Sequence, residues 1–186
     1  MKIKSTKFTG LKIIQSKNYR DSRGFFKEDF KKKFFKDKKF VFGCTSSSNK
    51  NVIRGLHLQT KFSQGKYVSI VKGGILDVAV DLRKNSKTFG KHFSIKMSHD
   101  SNFSLYIPEG FAHGYYVISE TAEIAYKCSD IYHPEYEQGI RWDDPEIGIE
   151  WPGTKPLLSE RDINLPMLHS LNLNREYYIE EEKRDK

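Results

Sequence analysis

The chain has 186 residues, a mass of 21.7 kDa, a formal net charge of +8 and a pI near 9.3. That length suits one domain over residues 1–186, with its body over about 7–168 and a charged tail over 169–186, and it is enough to bury a real core. No run of 18 apolar residues exists and the N-terminus has no long apolar stretch, which argues against a membrane span and an export signal and for a cytoplasmic location.

The positive balance points to an anionic partner, with a lysine-rich surface as the plain alternative. Cys44 and Cys128 form no CxxC or Cys/His cluster, so zinc is not signalled and two free thiols are expected.

In chain order, Thr9 to Ser16 reads as a short strand. Arg20 to Gly24 is a charged turn followed by Phe25 and Phe26. In residues 29–39, Phe30, Phe34 and Phe35 fall at i, i+4 and i+5, which predicts a short helix with lysines on its solvated face. Strand follows strand from there to Cys128. Val52 to Gln59 is one. Tyr67 to Val71 and Ile75 to Leu82, joined by Lys72-Gly73-Gly74, predict a hairpin. On its second arm Leu76, Val78, Val80 and Leu82 share one face, and Ile75, Asp77, Ala79 and Asp81 the other. Asp77 therefore meets solvent or a cavity. Phe93 to Met97, Phe103 to Ile107, Tyr115 to Ile118 and Glu123 to Cys128 complete an all-β set, a jelly roll or barrel. Residues 131–168 hold most prolines and both tryptophans, and read as a wrap of turns and short helices. The charged end, Arg175 to Lys186, predicts a fraying or marginal helix.

Two patterns carry chemistry. Pro108-Glu109-Gly110-Phe111-Ala112-His113 resembles the second cupin motif. Arg54-Gly55-Leu56-His57-Leu58-Gln59 resembles the first, with Gln59 where a metal cupin has a second histidine. His57 and His113 alone make a poor metal site, so no metal and no cofactor are expected.

Five segments then occur in order: RGLHLQ, SQGKYVSIVKGGILDVAVDLRKNSKTFG, LYIPEGFAHGYYV, AEIAYKCSDIYHPEYEQGIRWDDPEIGIEWP and LSERD. Together they resemble the dTDP-4-dehydrorhamnose 3,5-epimerase family, over about Lys7 to Leu168. The resemblance implies a cupin-type jelly-roll barrel acting on a dTDP-4-keto-6-deoxyhexose, without nucleic acid or membrane as partner. A ketone at C4 acidifies the C3 and C5 protons. Epimerisation then needs a base on one face, an acid on the other, and positive charge at the enolate oxygen.

By that resemblance His57 is the base, Asp162 its orienting carboxylate, Lys66 the enolate stabiliser and Tyr126 the proton donor. His113 and Asp77 hold the sugar, and Arg54 contacts phosphate. Arg23, Phe26 and Glu28 match a segment that grips the nucleotide across a homodimer interface. Glu137 and Arg161 match two further binding positions. One departure stands out: Phe42 and Cys44 occupy places where the family usually has Gln and Asn near the nucleotide. That is either neutral drift or a changed nucleotide or sugar, such as a GDP-linked 4-keto-6-deoxyheptose. Epimerisation at C3 alone or C5 alone, a ketoisomerase on a similar sugar nucleotide, a metal-dependent cupin oxygenase and a non-catalytic cupin-like binding protein are the other readings.

Overall fold

A computed structural model describes residues 1–35 and 38–172. Its strands are β1 (Lys2–Ser5), β2 (Lys12–Gln15), β3 (Asn18–Asp21), β4 (Gly24–Lys27), β5 (Phe42–Asn49), β6 (Ile53–Gln59) and β7 (Lys66–Lys72). They continue with β8 (Gly74–Asp81), β9 (His92–Ser98), β10 (Phe103–Ile107), β11 (Phe111–Val117), β12 (Thr121–Cys128) and β13 (Glu137–Gly139). One α-helix, α1 (Glu160–Ile163), follows. A six-stranded sheet runs β1-β2-β10-β7-β12-β5, a five-stranded sheet runs β13-β6-β11-β8-β9, and β3 and β4 form a two-stranded sheet. All named pairings are antiparallel. The all-β jelly roll expected from the strand pattern, of the cupin type that the resemblance implies, is the fold observed.

The two sheets face each other across a core of Val68, Ile70, Ile75, Leu105, Phe111, Tyr115, Val117 and Ile124. Burying such apolar side chains contributes roughly 1.5–3 kcal/mol each before chain entropy is set against it. Both sheets are also covered outside. Leu76, Val78, Val80 and Leu82 pack beneath Ile140, Ile147, Trp142 and Trp151 of the C-terminal wrap. Trp151 Nε1 donates to the Trp142 carbonyl at 2.8 Å, which fixes that wrap. The alternation on β8 is thus realised, and Asp77 points to the barrel interior, fully buried.

Two expectations are corrected. Tyr67–Val71 and Ile75–Leu82 are not a hairpin: β7 pairs with β10 and β12, whereas β8 pairs with β11 and β9. Gly73, at φ +75°, carries the chain from one sheet to the other, and a Cβ there would sit 2.0 Å from the Thr121 carbonyl oxygen. A glycine pair serves a crossover as readily as a turn. The helix over 29–39 is only a 3₁₀ turn at Lys32–Phe34 among the described residues. Lys31 offers no side-chain cap and the first turn has no acid, so helix initiation is unsupported. The aromatic residues instead cover the outer face of the six-stranded sheet, with Phe35 edge-on to Tyr67 at 5.6 Å and stacked on Phe30 at 5.7 Å. The predicted terminal helix over Arg175–Lys186 lies outside the described residues.

Candidate active site

His57 lies on β6, directly across from His113 on β11. The two backbones approach closely at Gly55 and Gly114. A Cβ on Gly55 would lie 2.5 Å from the Gly114 Cα, and Gly55 has φ +128°. That contact explains the glycines of the RGLH and AHG segments.

Asp162 reaches His57 from α1. Ser159 caps the helix by accepting from the Asp162 N–H at 3.1 Å. The LSERD segment thus places a carboxylate at the third helical position, as in a capping box. That carboxylate turns instead to the barrel, where it accepts from His57 Nε2 at 2.7 Å and from the Gly55 N–H at 3.4 Å. Burial pushes Asp162 up, but the bonds from His57, Gly55 and Ser159 outweigh it and hold the carboxyl below its ordinary value. With Nε2 donating, the lone pair of the neutral ring is on Nδ1.

His113 Nε2 donates to Asp77 Oδ2 at 2.9 Å, and Asp77 Oδ1 has no hydrogen-bond partner among the described residues. The opposite wall comes from the six-stranded sheet. Tyr126 on β12 is edge-on to His113 at 6.0 Å. Burial, with Tyr115 and Asp77 nearby, raises its phenol well above the ordinary value. Lys66, at the start of β7, places Nζ 3.5 Å from the His57 carbonyl oxygen. Burial pulls its ammonium down, while Cys128, Glu137, Cys44 and Asp77 pull it back up.

Glu137 on β13 lies on the other side of His57, with Oε1 4.0 Å from Nδ1. Its second oxygen pairs with Arg161 and accepts from the Tyr132 hydroxyl. Arg54 donates from Nε to Ser48 Oγ at 2.9 Å, and Ser48 and Ser46 both contact the Tyr115 hydroxyl. The structure therefore brings His57, Asp162, Lys66, Tyr126, His113, Asp77, Glu137 and Arg161 to one cleft, with Arg54 of β6 beside it, bonded to Ser48 of β5.

It does not bring Arg23, Phe26 and Glu28 there. Arg23 pairs with Asp21 at 2.6 Å, Glu28 with Lys31 at 2.7 Å, and Phe26 is 67 % exposed. Their hairpin is tied by Arg20 to Asp100, just before β10. β10 then runs from Phe103 to Ile107, the partner of Lys66, so the hairpin sits at the far end of the barrel from the cleft. Sequence reasoning missed Tyr132, an exposed aromatic at the rim bonded to Glu137 at 2.8 Å. Lying in a loop without periodicity, it stands out in the sequence only as part of the fourth ordered segment.

Phe42 and Cys44 stand at the start of β5, with Cys128 and Tyr126 as their respective partners on β12. Cys44 thus shares the Tyr126 face, and both cysteines are free thiols. Gln59 is committed elsewhere: its amide donates to the carbonyls of Phe62 and Ile131 and its oxygen accepts from His133 N–H. Among the described residues no group of three or more His, Cys, Asp or Glu side chains could hold a metal ion. No described helix is long and apolar enough to cross a membrane.

Residues 5–170 match the family model described as dTDP-4-dehydrorhamnose 3,5-epimerase. The chain belongs to that family. It is 47 % identical over 168 residues to the dTDP-4-dehydrorhamnose 3,5-epimerase of Neisseria gonorrhoeae, covering 88 % of this chain and 51 % of that protein. The chain thus spans about half the length of the Neisseria relative. A Methanothermobacter thermautotrophicus relative of the same name is 44 % identical over 86 % of this chain and 90 % of its own length. Among solved structures, a Legionella pneumophila dTDP-6-deoxy-D-glucose-3,5-epimerase in complex with dTDP-4-keto-L-rhamnose matches with TM-score 0.88 and 43 % identity, over 92 % of this chain and 94 % of that one. Members of the family are isomerases of the racemase and epimerase class, in keeping with the ordered motifs.

Proposed function

We propose that this chain is a sugar-nucleotide epimerase that inverts C3, C5 or both on a dTDP-4-keto-6-deoxyhexose through an enolate. The observation that carries the reading is the placement of the two proton-transfer groups on opposite walls. His57, backed by Asp162, comes from the five-stranded sheet, and Tyr126 from the six-stranded sheet. The 4-keto sugar between them loses a proton to one wall, and the flat enolate so formed gains a proton from the other, which is inversion.

Nδ1 of His57 takes the proton, and Asp162 steadies the imidazolium that results. The Lys66 ammonium faces the charge that develops on the C4 oxygen. Tyr126, whose raised pKa keeps its proton in place, delivers it to the opposite face. Asp77 and His113 hold the sugar, and Arg54 takes the diphosphate, guanidinium being suited to paired oxygens. The exposed hairpin with Arg23, Phe26 and Glu28 supports a homodimer in which one protomer's hairpin reaches its partner's nucleotide.

Incubation in D₂O with dTDP-, GDP- and CDP-linked 4-keto-6-deoxy sugars, followed by proton NMR, tests this. Exchange at C3 or C5 with a new stereoisomer is expected with the dTDP sugar. Turnover confined to a GDP-linked substrate would tie Phe42 and Cys44 to a changed nucleotide. No exchange with any substrate, from folded protein, would overturn the reading. In the same assay Tyr126→Phe should keep a large share of the deuterium exchange and lose roughly 10²-fold or more of the inversion, since only the second proton transfer is removed. Equal loss of both signals would mean that Tyr126 does not donate from the opposite wall.

A further inference from the structure

We propose that Glu137 is a positioning residue that sets the charge state of His57, with Arg161 as its counter-ion. The inference rests on His57 being the base, and assigns Glu137 a role beyond holding substrate. The imidazole lies between two carboxylates. Asp162 accepts from Nε2 at 2.7 Å, and Glu137 Oε1 stands 4.0 Å from Nδ1. Asp162 orients the ring by a direct bond, whereas Glu137 acts at the nitrogen that must remain free.

The Glu137 side chain is only 12 % exposed, so water screens its field weakly. Its position is fixed by β13, where Glu137 and Gly139 pair with Gln59 and His57 of β6. The second oxygen is occupied by Arg161 and the Tyr132 hydroxyl, which keeps Oε1 on the His57 side. Other charges facing the ring are Lys66 from β7, at the His57 carbonyl, and the His113–Asp77 pair from β11 and β8. Two unbalanced carboxylates would favour imidazolium, which cannot take a proton. Arg161 offsets Glu137 and keeps the ring available as a base. The residual pull of Glu137 still stabilises the imidazolium once the proton has moved.

The signs follow. Removing the Glu137 charge lowers the pH at which His57 gains its proton. Removing Arg161 while keeping Glu137 raises it. The two displacements are expected to be opposite in sign, and modest because Arg161 already offsets Glu137. A merely structural role for either residue would not move the midpoint in opposite directions.

The test is an NMR titration of the imidazole signals in the whole chain without substrate, with His57 assigned by its loss in His57→Asn. Glu137→Gln should titrate at lower pH, Arg161→Gln at higher pH, and Glu137→Asp close to the original chain. Because no turnover is needed, this readout is separate from the question of substrate. An unmoved His57 midpoint in folded Glu137→Gln, or shifts of the same sign in both variants, would overturn the proposal. Where the substrate is turned over, the acid limb of kcat/KM should move with the NMR midpoint.

Discussion

Replacing His57 with alanine is expected to lower kcat by about 10²–10⁴, the usual contribution of a positioned base. Deuterium exchange should fall with inversion, since both begin with the same proton abstraction. KM should change little, because the ring's work is done in the transition state. Asp162→Asn should share much of the loss. An amide can still meet the ring, but it carries no charge to stabilise imidazolium and can hold the wrong tautomer. The two residues act through one hydrogen bond of 2.7 Å, so their losses should not add. The double variant should be little worse than His57→Ala alone. Circular dichroism and a thermal melt separate this from unfolding, because His57→Ala leaves the carboxylate on the Gly55 N–H and the Ser159 cap in place. A folded His57→Ala protein with full activity would remove His57 from the mechanism.

The barrel was legible because its strands alternate cleanly. On β8 the sequence pattern separated the core-facing from the wrap-facing residues, and it left Asp77, on the same face as Asp81, to meet solvent or a cavity. Pairing was not legible. The run Lys72-Gly73-Gly74 carries turn chemistry, yet the fold uses it to cross between sheets, since which strands become neighbours depends on contacts far apart in sequence. The 29–39 segment misled for a related reason: Phe30, Phe34 and Phe35 satisfy helical spacing, but their packing on Tyr67 and Tyr106 is decided by the sheet beneath. In the site, His57, Lys66, Tyr126 and Asp162 would each read alone as an ordinary core, surface or turn residue. They became candidates only through ordered motifs, and their convergence is a property of the fold. The Glu137–Arg161–Tyr132 cluster had the weakest signal, because its geometry depends on β13 lying beside β6.

Lys66→Met is expected to lower kcat by about 10²–10³, the range for losing one preorganised oxyanion partner. Methionine keeps much of the side-chain length and apolar stem, so packing at the start of β7 is little disturbed. What it removes is the ammonium. The cleft holds carboxylates at Asp77, Glu137 and Asp162, so an enolate formed there without Lys66 meets unfavourable charge. Burial already pulls the Lys66 pKa below its ordinary value, so the pH dependence has a definite sign. As pH rises, Nζ loses its proton and the oxyanion loses its partner. The original enzyme should therefore decline on the alkaline side at a pH below the ordinary lysine range. That limb should be absent from the residual activity of Lys66→Met, which has no ammonium to titrate. Stopped or continuous NMR assays across pH, at saturating substrate, give kcat separately from KM. A variant in which KM alone rises would place Lys66 in ground-state binding. A fall in kcat together with loss of the alkaline limb would place it on the enolate oxygen, consistent with an ammonium held 3.5 Å from the His57 carbonyl oxygen.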